Sequence, residues 1–292
     1  MSHRNSSSTS KLRRRLGIAA AGALVLATTT GCSAREIFLF DMPEPVTEQG
    51  ETMYNLWVGN WITAWPVGVL VWGLIIFCVV AYHRRRRPAV PVQTTYNMPI
   101  ETMYTVAPLI VVLGLFWYAL GDQADVLEVK GDEQNVVNVV GFRWSWGFNY
   151  TDQNVYEIGE PINFQTPTGE RTQNQDAAPT LWLPVDESAR VVLTSPDVIH
   201  SFWVVDWLFK MDVIPGKENQ FAVTPTEEGF YEGRCAELCG VDHSRMLFNV
   251  NVVSRAEFDQ HIKDLEARGQ VGQLDTGRVN VAGEPNVDGR VL

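Results

Sequence analysis

Charge is missing from two long stretches of this 292-residue chain. No Asp, Glu, Lys or Arg occurs between Thr52 and Tyr82, and none between Thr102 and Gly121. Within the first stretch, Trp61 to Tyr82 is 22 residues long. As a helix it would rise about 33 Å, enough to cross a bilayer's hydrocarbon core. The second stretch holds 20 residues. Their length, with Arg84 to Arg87 lying between them, argues against two buried core helices and for a transmembrane hairpin. The arginines place the connecting loop on the cytoplasmic side, so both ends of the hairpin face outward.

Acid is absent from the N-terminal region where Arg4, Lys11, Arg13, Arg14 and Arg15 cluster. An apolar segment follows, Leu16 to Ala27, and then the small-residue run TTTGCS. This is the layout of an export signal over residues 1–31. Gly31-Cys32 resembles a lipoprotein processing site and leaves Cys32 available for a lipid anchor, although Thr29 stands where such sites favour Leu. An ordinary signal peptide cleaved nearby is the alternative.

Basic charge is scarce beyond the hairpin. From Asp122 onward there are 28 acidic residues against 13 basic ones, a net of −15. This makes nucleic acid a poor partner. The field would draw in cationic partners, although plain solubility accounts for the same composition.

Helical periodicity is also largely lacking there, and no internal repeat is visible. Segments 125–130, 135–146, 189–195, 219–225, 229–235 and 246–253 are short and rich in β-branched and aromatic residues, bounded by Pro, Gly and acidic turns. They predict an all-β sandwich or barrel. Residues 151–180 read as a long polar loop. Ser254 and Glu257 form a capping-box signature that opens a short helix, about 255–268, and the Gly- and Asp-rich tail from Gly269 reads as mobile. The expected division is a signal over 1–31, then an N-terminal segment and hairpin over 32–121, with spans at about 55–82 and 101–121. The outer domain would follow over 122–254, and a short helix and tail over 255–292.

Ligand-forming residues are few, which makes their grouping informative. Of four cysteines, Cys32 lies at the processing site, Cys78 lies in the first span, and Cys235 and Cys239 remain. In an oxidising compartment a disulfide is the default reading for such a pair. Their neighbours favour a metal. His243 and Met246 continue the pattern C-x3-C-x3-H-x2-M, and Met246 is one of only two methionines in the outer domain. Thiolates and a thioether suit copper, and a thioether is a poor zinc ligand. A single blue-copper ion needs one Cys, two His and a weak Met, so the second Cys suggests two bridged ions and a second imidazole. His200, in PDVIHSFWV, is the one plausible candidate, because His261 falls among charged residues of the predicted helix and reads as solvated.

The stretches DVIHSFWV, KMDVIPGKENQ, GFYEGRCAELCGVDHSRM and GFRWSWGFNY, with the hairpin before them, resemble subunit II of the copper-A-bearing haem–copper cytochrome c oxidases. The lipoprotein-like signal and acidic domain give the resemblance an actinobacterial cast. The family pattern implies a cupredoxin-like outer domain carrying a binuclear copper-A centre. Cys235 and Cys239 would bridge the two coppers, and His200 and His243 would cap one each. Met246 would complete one copper and the backbone carbonyl of Glu237 the other. The Glu237 side chain would help hold magnesium against subunit I. Trp144, the first tryptophan of the W-x-W pair, would admit the electron. Glu101, at the cytoplasmic end of the second span, would mark the entry of a proton channel into subunit I; a helix N-terminal acid favoured by the macrodipole is the simpler account. In a strand, Trp144, Trp146, Phe148 and Tyr150 would share one face, mostly as core.

The resemblance further implies oxidase subunits I and III as partners. The donor would be a c-type cytochrome, either soluble or held in a membrane-bound cytochrome bc complex within a supercomplex. The function implied is electron transfer for oxygen reduction coupled to proton pumping, in the plasma membrane, with the copper domain outside. The oxygen chemistry would lie on another subunit, since five histidines are too few for haems and a second copper site. Two other readings compete. A disulfide-stapled exported lipoprotein used for binding leaves the His and Met spacing unexplained. The copper-A domain of a nitrous oxide reductase would need a propeller domain of several hundred more residues.

Overall fold

The computed structural model describes residues 41–83, 93–159 and 178–275. The expected signal, Cys32, the Arg84–Arg87 cluster, residues 160–177 of the polar loop and the tail beyond residue 275 lie outside the described residues.

Two long helices come first, α1 (Glu48–Ala81) and α2 (Met98–Val126). The Thr47 hydroxyl caps α1 by accepting from Gly50 N–H at 2.9 Å, and Glu48 and Glu51 occupy its first turn, where the helix dipole favours acid. Asn97 caps α2 by accepting from Ile100 N–H. Both helices are long and apolar enough to cross a membrane, and their apolar windows are bare of protein cover. Each begins or ends beyond the expected span. Helix α2 runs on through Asp122, Gln123 and Asp125, so the predicted strand at 125–130 is not formed. Its two valines are too few to outweigh helix propagation from an established span.

Among the described residues ten strands follow: β1 (Asn135–Phe142), β2 (Ser145–Tyr150), β3 (Val155–Ile158), β4 (Thr180–Pro184), β5 (Ala189–Thr194), β6 (His200–Val204), β7 (Phe209–Val213), β8 (Asn219–Val223), β9 (Gly229–Cys235) and β10 (Leu247–Val253). They form two five-stranded sheets, ordered β3-β2-β1-β5-β8 and β4-β10-β9-β6-β7. Pairing is antiparallel except for β1 with β5 and β4 with β10. The sheets enclose one core, in which Val137, Val139, Trp146, Phe148 and Tyr150 face Leu181, Phe202, Phe248 and Val250. This is the expected all-β, cupredoxin-like sandwich preceded by two apolar helices.

Local departures have identifiable causes. The run predicted as one strand over 135–146 folds back on itself, with Phe142 pairing Ser145 across a two-residue turn at Arg143 and Trp144. Trp144 therefore leaves the shared face, and only Trp146, Phe148 and Tyr150 are core. The polar loop contains β3, and the edge strands β4 and β7 carry too little alternation to be read beforehand.

Helix α3 (Arg255–Ala267) forms with both halves of its capping box in place. His261 on this helix is buried, not solvated: its Nε2 lies 3.1 Å from Glu157 Oε2 and its ring stacks on Trp182. Charged sequence neighbours lie on the other faces of the helix, so they do not predict the environment of this one. The start of the tail is held as well. Tyr156 N–H donates to Gln270 O, and Leu274 exchanges bonds with the Asn149 side chain.

Candidate metal centre

The centre lies at one end of the sandwich, where three segments meet. His200 begins β6, Cys235 ends β9, and the turn after β9 carries Glu237, Cys239, His243 and Met246 before β10 starts. Phe202 pairs with Cys235 across the sheet, which brings His200 alongside the first cysteine.

The sulfurs of Cys235 and Cys239 are 3.9 Å apart, and both thiols are free. A disulfide needs about 2.05 Å, whereas each sulfur could share one ion at a thiolate–metal distance of about 2.3 Å. His200 Nδ1 lies 3.9 Å from Cys235 Sγ, and His243 Nδ1 lies 3.6 Å from Cys239 Sγ. Met246 Sδ is 3.8 Å from Cys239 Sγ. The Glu237 carbonyl accepts from the Cys235 thiol at 3.2 Å, so it is the backbone oxygen of this residue that faces the sulfurs. The ligand atoms of His200, Cys235 and Cys239 all lie within 4.8 Å of one another and are buried. Thus the fold brings together every side chain that the spacing suggested as a copper ligand.

The electrostatics suit a cation. Burial, reinforced by the adjacent Cys235 thiol, pushes the Cys239 thiol up to about 12. The fold alone therefore does not sustain a Cys239 thiolate here, and a bound metal ion would supply what is missing. Burial lowers the pKa of His200, keeping its ring neutral and able to ligate. For Asp197, burial acts upward but is outweighed by hydrogen bonds from His200, Arg143 and Val198, which hold it below the ordinary carboxylate range.

Two tryptophans frame the site. Trp144 is half-buried at the rim, and its indole N–H donates to the carbonyl of Cys239 at 3.2 Å. Its ring lies against Gly240, whose φ of +125° and lack of a side chain both matter, since a Cβ there would sit 3.0 Å from the indole. Trp146 is fully buried behind the ligands, and its indole N–H donates to the carbonyl of Met246 at 3.3 Å. The WSWG pattern signals an aromatic strand but cannot tell which ring braces the methionine. Leu238 and Val241 project from the same turn, 76% and 88% exposed.

Glu101 is remote from this centre in sequence and element, in the first turn of α2. Its Oε1 accepts from Asn97 N–H at 2.6 Å, so the acid takes part in closing the helix start.

Comparison with known proteins gives a consistent picture. Residues 135–253 match the family model described as cytochrome c oxidase subunit II, periplasmic domain. A probable cytochrome c oxidase subunit 2 of Streptomyces avermitilis is 47% identical, the match covering 94% of each chain. A counterpart from Streptomyces coelicolor is 45% identical over the same shares, and the Corynebacterium diphtheriae cytochrome c oxidase subunit 2 is 32% identical over 77% of this chain and 75% of its own. Among solved structures, the periplasmic domain of cytochrome oxidase subunit II from Bradyrhizobium japonicum is 26% identical, covers 47% of this chain and 96% of its own, and has a TM-score of 0.40.

Proposed function

Because the chain belongs to the cytochrome c oxidase subunit II family, we propose that it is the electron-entry subunit of a haem–copper oxidase, taking electrons from a c-type cytochrome at a binuclear copper-A centre and passing them to the haem and copper sites of subunit I. The observation that carries this reading is the grouping of two free thiols, two imidazoles and a thioether at one end of the sandwich, with His200, Cys235, Cys239 and Met246 buried and His243 half-buried at the edge. Cys235 and Cys239 would bridge the two coppers, His200 and His243 would cap them, and Met246 and the Glu237 carbonyl would complete them. When bound, the copper pair supplies a one-electron acceptor and donor. The chain contributes the donor set, of which His200, Cys235, Cys239 and Met246 are buried.

Trp144 is the proposed entry point. It stands between solvent and the ligand turn and is bonded to the backbone of a bridging cysteine. The exposed Leu238 and Val241 offer a small apolar contact on the same turn as Cys239, and the surplus of acid on the outer domain would attract a cationic cytochrome to the domain. Subunits I and III would share the assembly, and the donor would be soluble or held in a cytochrome bc supercomplex. The Glu237 side chain would help bind magnesium at the subunit I contact. Glu101 would open a proton path into subunit I, contributing to proton translocation alongside its capping contact. The hairpin would hold the chain in the plasma membrane with the copper domain outside, following export by the N-terminal signal, with a lipid on Cys32.

Metal analysis of the purified full-length chain tests the central reading. Two coppers per chain with a mixed-valence electron resonance signal are expected. One copper, or a Cys235–Cys239 disulfide in the metal-loaded protein, would overturn it.

A further inference from the structure

Asp197 is not among the copper ligands, yet it joins two parts of the proposed electron path. It lies in the short turn between β5 and β6, and its side chain is only 18% exposed. Its two oxygens face different neighbours. Oδ1 accepts from Val198 N–H at 2.6 Å and lies 2.9 Å from His200 Nε2, with the Ser195 hydroxyl at 3.3 Å. Oδ2 accepts from the backbone N–H of Arg143 at 2.8 Å and from its Nε at 3.3 Å. Arg143 is the residue before Trp144, in the two-residue turn that carries the entry indole.

We propose that Asp197 is a positioning residue: one carboxylate oxygen orients the His200 ring, and the other fixes the turn bearing Trp144. The inference rests on the copper-A reading. With Nε2–H donated to a carboxylate, the imidazole is set in the tautomer whose Nδ1 faces the sulfurs, and its basicity as a ligand rises. The ring has little freedom besides: Trp146 packs 6.1 Å away between centroids, and a Cβ on Gly141 would lie 3.3 Å from the His200 ring. On the other side, the turn would be held at two points, Asp197 to Arg143 and Trp144 to the Cys239 carbonyl. A closed circuit results, running from ligand ring to carboxylate, turn, indole and ligand loop. Both oxygens are engaged by neighbours within the domain, and the carboxylate is paired with Arg143.

The circuit can be cut one half at a time in the assembled oxidase carrying the full chain. In Asp197→Asn the amide oxygen can still accept from His200 and Val198, but an NH2 group now faces the Arg143 N–H, donor against donor. This variant should keep two coppers and a near-native electron resonance spectrum while cytochrome-driven copper reduction slows by the same factor at low and high salt. Asp197→Ala cuts both halves. Its copper signal should show altered nitrogen hyperfine coupling, and copper loss to a chelator should accelerate about 10–100-fold, the usual scale for removing a ligand's orienting partner. Native hyperfine and native copper retention in Asp197→Ala would overturn the proposal. So would an Asp197→Asn defect that vanishes at high salt, since that marks a docking charge. If Asp197→Ala fails to assemble, the Asn variant alone decides. A wild-type chain lacking two coppers would instead sink the copper-A reading beneath it.

Discussion

The indole N–H of Trp144 donates to the carbonyl of Cys239 across 3.2 Å, linking a ring at the rim of the domain to the backbone of one of the two buried free cysteines. Trp144→Phe keeps an aromatic ring and deletes that link. Since that bond is the direct polar contact joining the proposed entry ring to the turn of Cys239, electron entry is expected to slow. Cytochrome binding and its salt dependence should stay near native, because encounter is governed by charge screened over about 10 Å at 0.1 M salt. Stopped-flow copper reduction against ionic strength separates the two; an unchanged transfer rate would return Trp144 to the packing of the rim.

Cys239→Ser removes one of two thiols lying 3.9 Å apart. Copper content should fall from two per chain to one or none, with loss of the mixed-valence resonance and of cytochrome oxidation, while circular dichroism of the sandwich persists. Retention of two coppers would show that the second thiol is not a bridge.

The metal-free chain should be least stable at the two ends of the pH range, for opposite reasons. Folded, Cys239 holds its proton up to about 12, while an unfolded thiol releases it near 8.5. Across that window the unfolded state binds fewer protons, so stability declines as pH rises, by up to about 1.4 kcal/mol per unit. His200 acts in the other direction. Its folded pKa lies below that of the free ring, so its contribution is lost as pH falls below about 6.5, where the unfolded ring protonates. Copper loading should abolish the alkaline decline, because the thiols are then already ionised on the metal. Denaturant titrations at pH 7, 9 and 10.5, with and without copper, read this directly; parallel curves would refute it.

Gly233 lies beneath the Phe248 ring, which itself stacks on Phe202 at 4.5 Å. A Cβ there would overlap three carbons of the Phe248 ring, so Gly233→Ala should destabilise the outer domain by about 1–3 kcal/mol through overpacking. A lowered unfolding midpoint with unchanged copper stoichiometry is expected. An unaltered midpoint would mean that the aromatic stack yields without cost.

Glu101→Gln separates capping from proton transfer. Glutamine retains an oxygen able to accept from Asn97 N–H, so α2 should start normally. Turnover of the assembled oxidase should fall while copper-A spectra stay native. Full turnover would leave Glu101 as a helix cap alone.

The grouping of donors at one end of the sandwich is legible because four candidate donors crowd into twelve residues, while His200 joins them only by a count of imidazoles. The two long apolar helices are equally plain from the absence of charge. What escaped the sequence were features set by neighbours distant along the chain. Trp144 reads as one member of an alternating aromatic strand until Phe142 pairs with Ser145 and turns it outward. His261 reads as solvated until Trp182 and Glu157, from two other strands, close over it. Asp197 looks like one acid among many in an acidic domain, and its two-sided grip depends on a turn more than fifty residues earlier.

The base of α1 is sewn to the sandwich rather than hung from it. Glu48 N–H donates to Thr224 O, Thr224 N–H donates to the Gln49 side chain, and Thr47 bridges to Pro225. A domain on a slack tether would sweep through a range of altitudes above the lipid. Here the first turn of a long apolar helix and the end of a core strand share hydrogen bonds, so the height of the two thiols above that helix is built into the architecture. On the proposed reading, the onward distance for each electron would then be set by the scaffold.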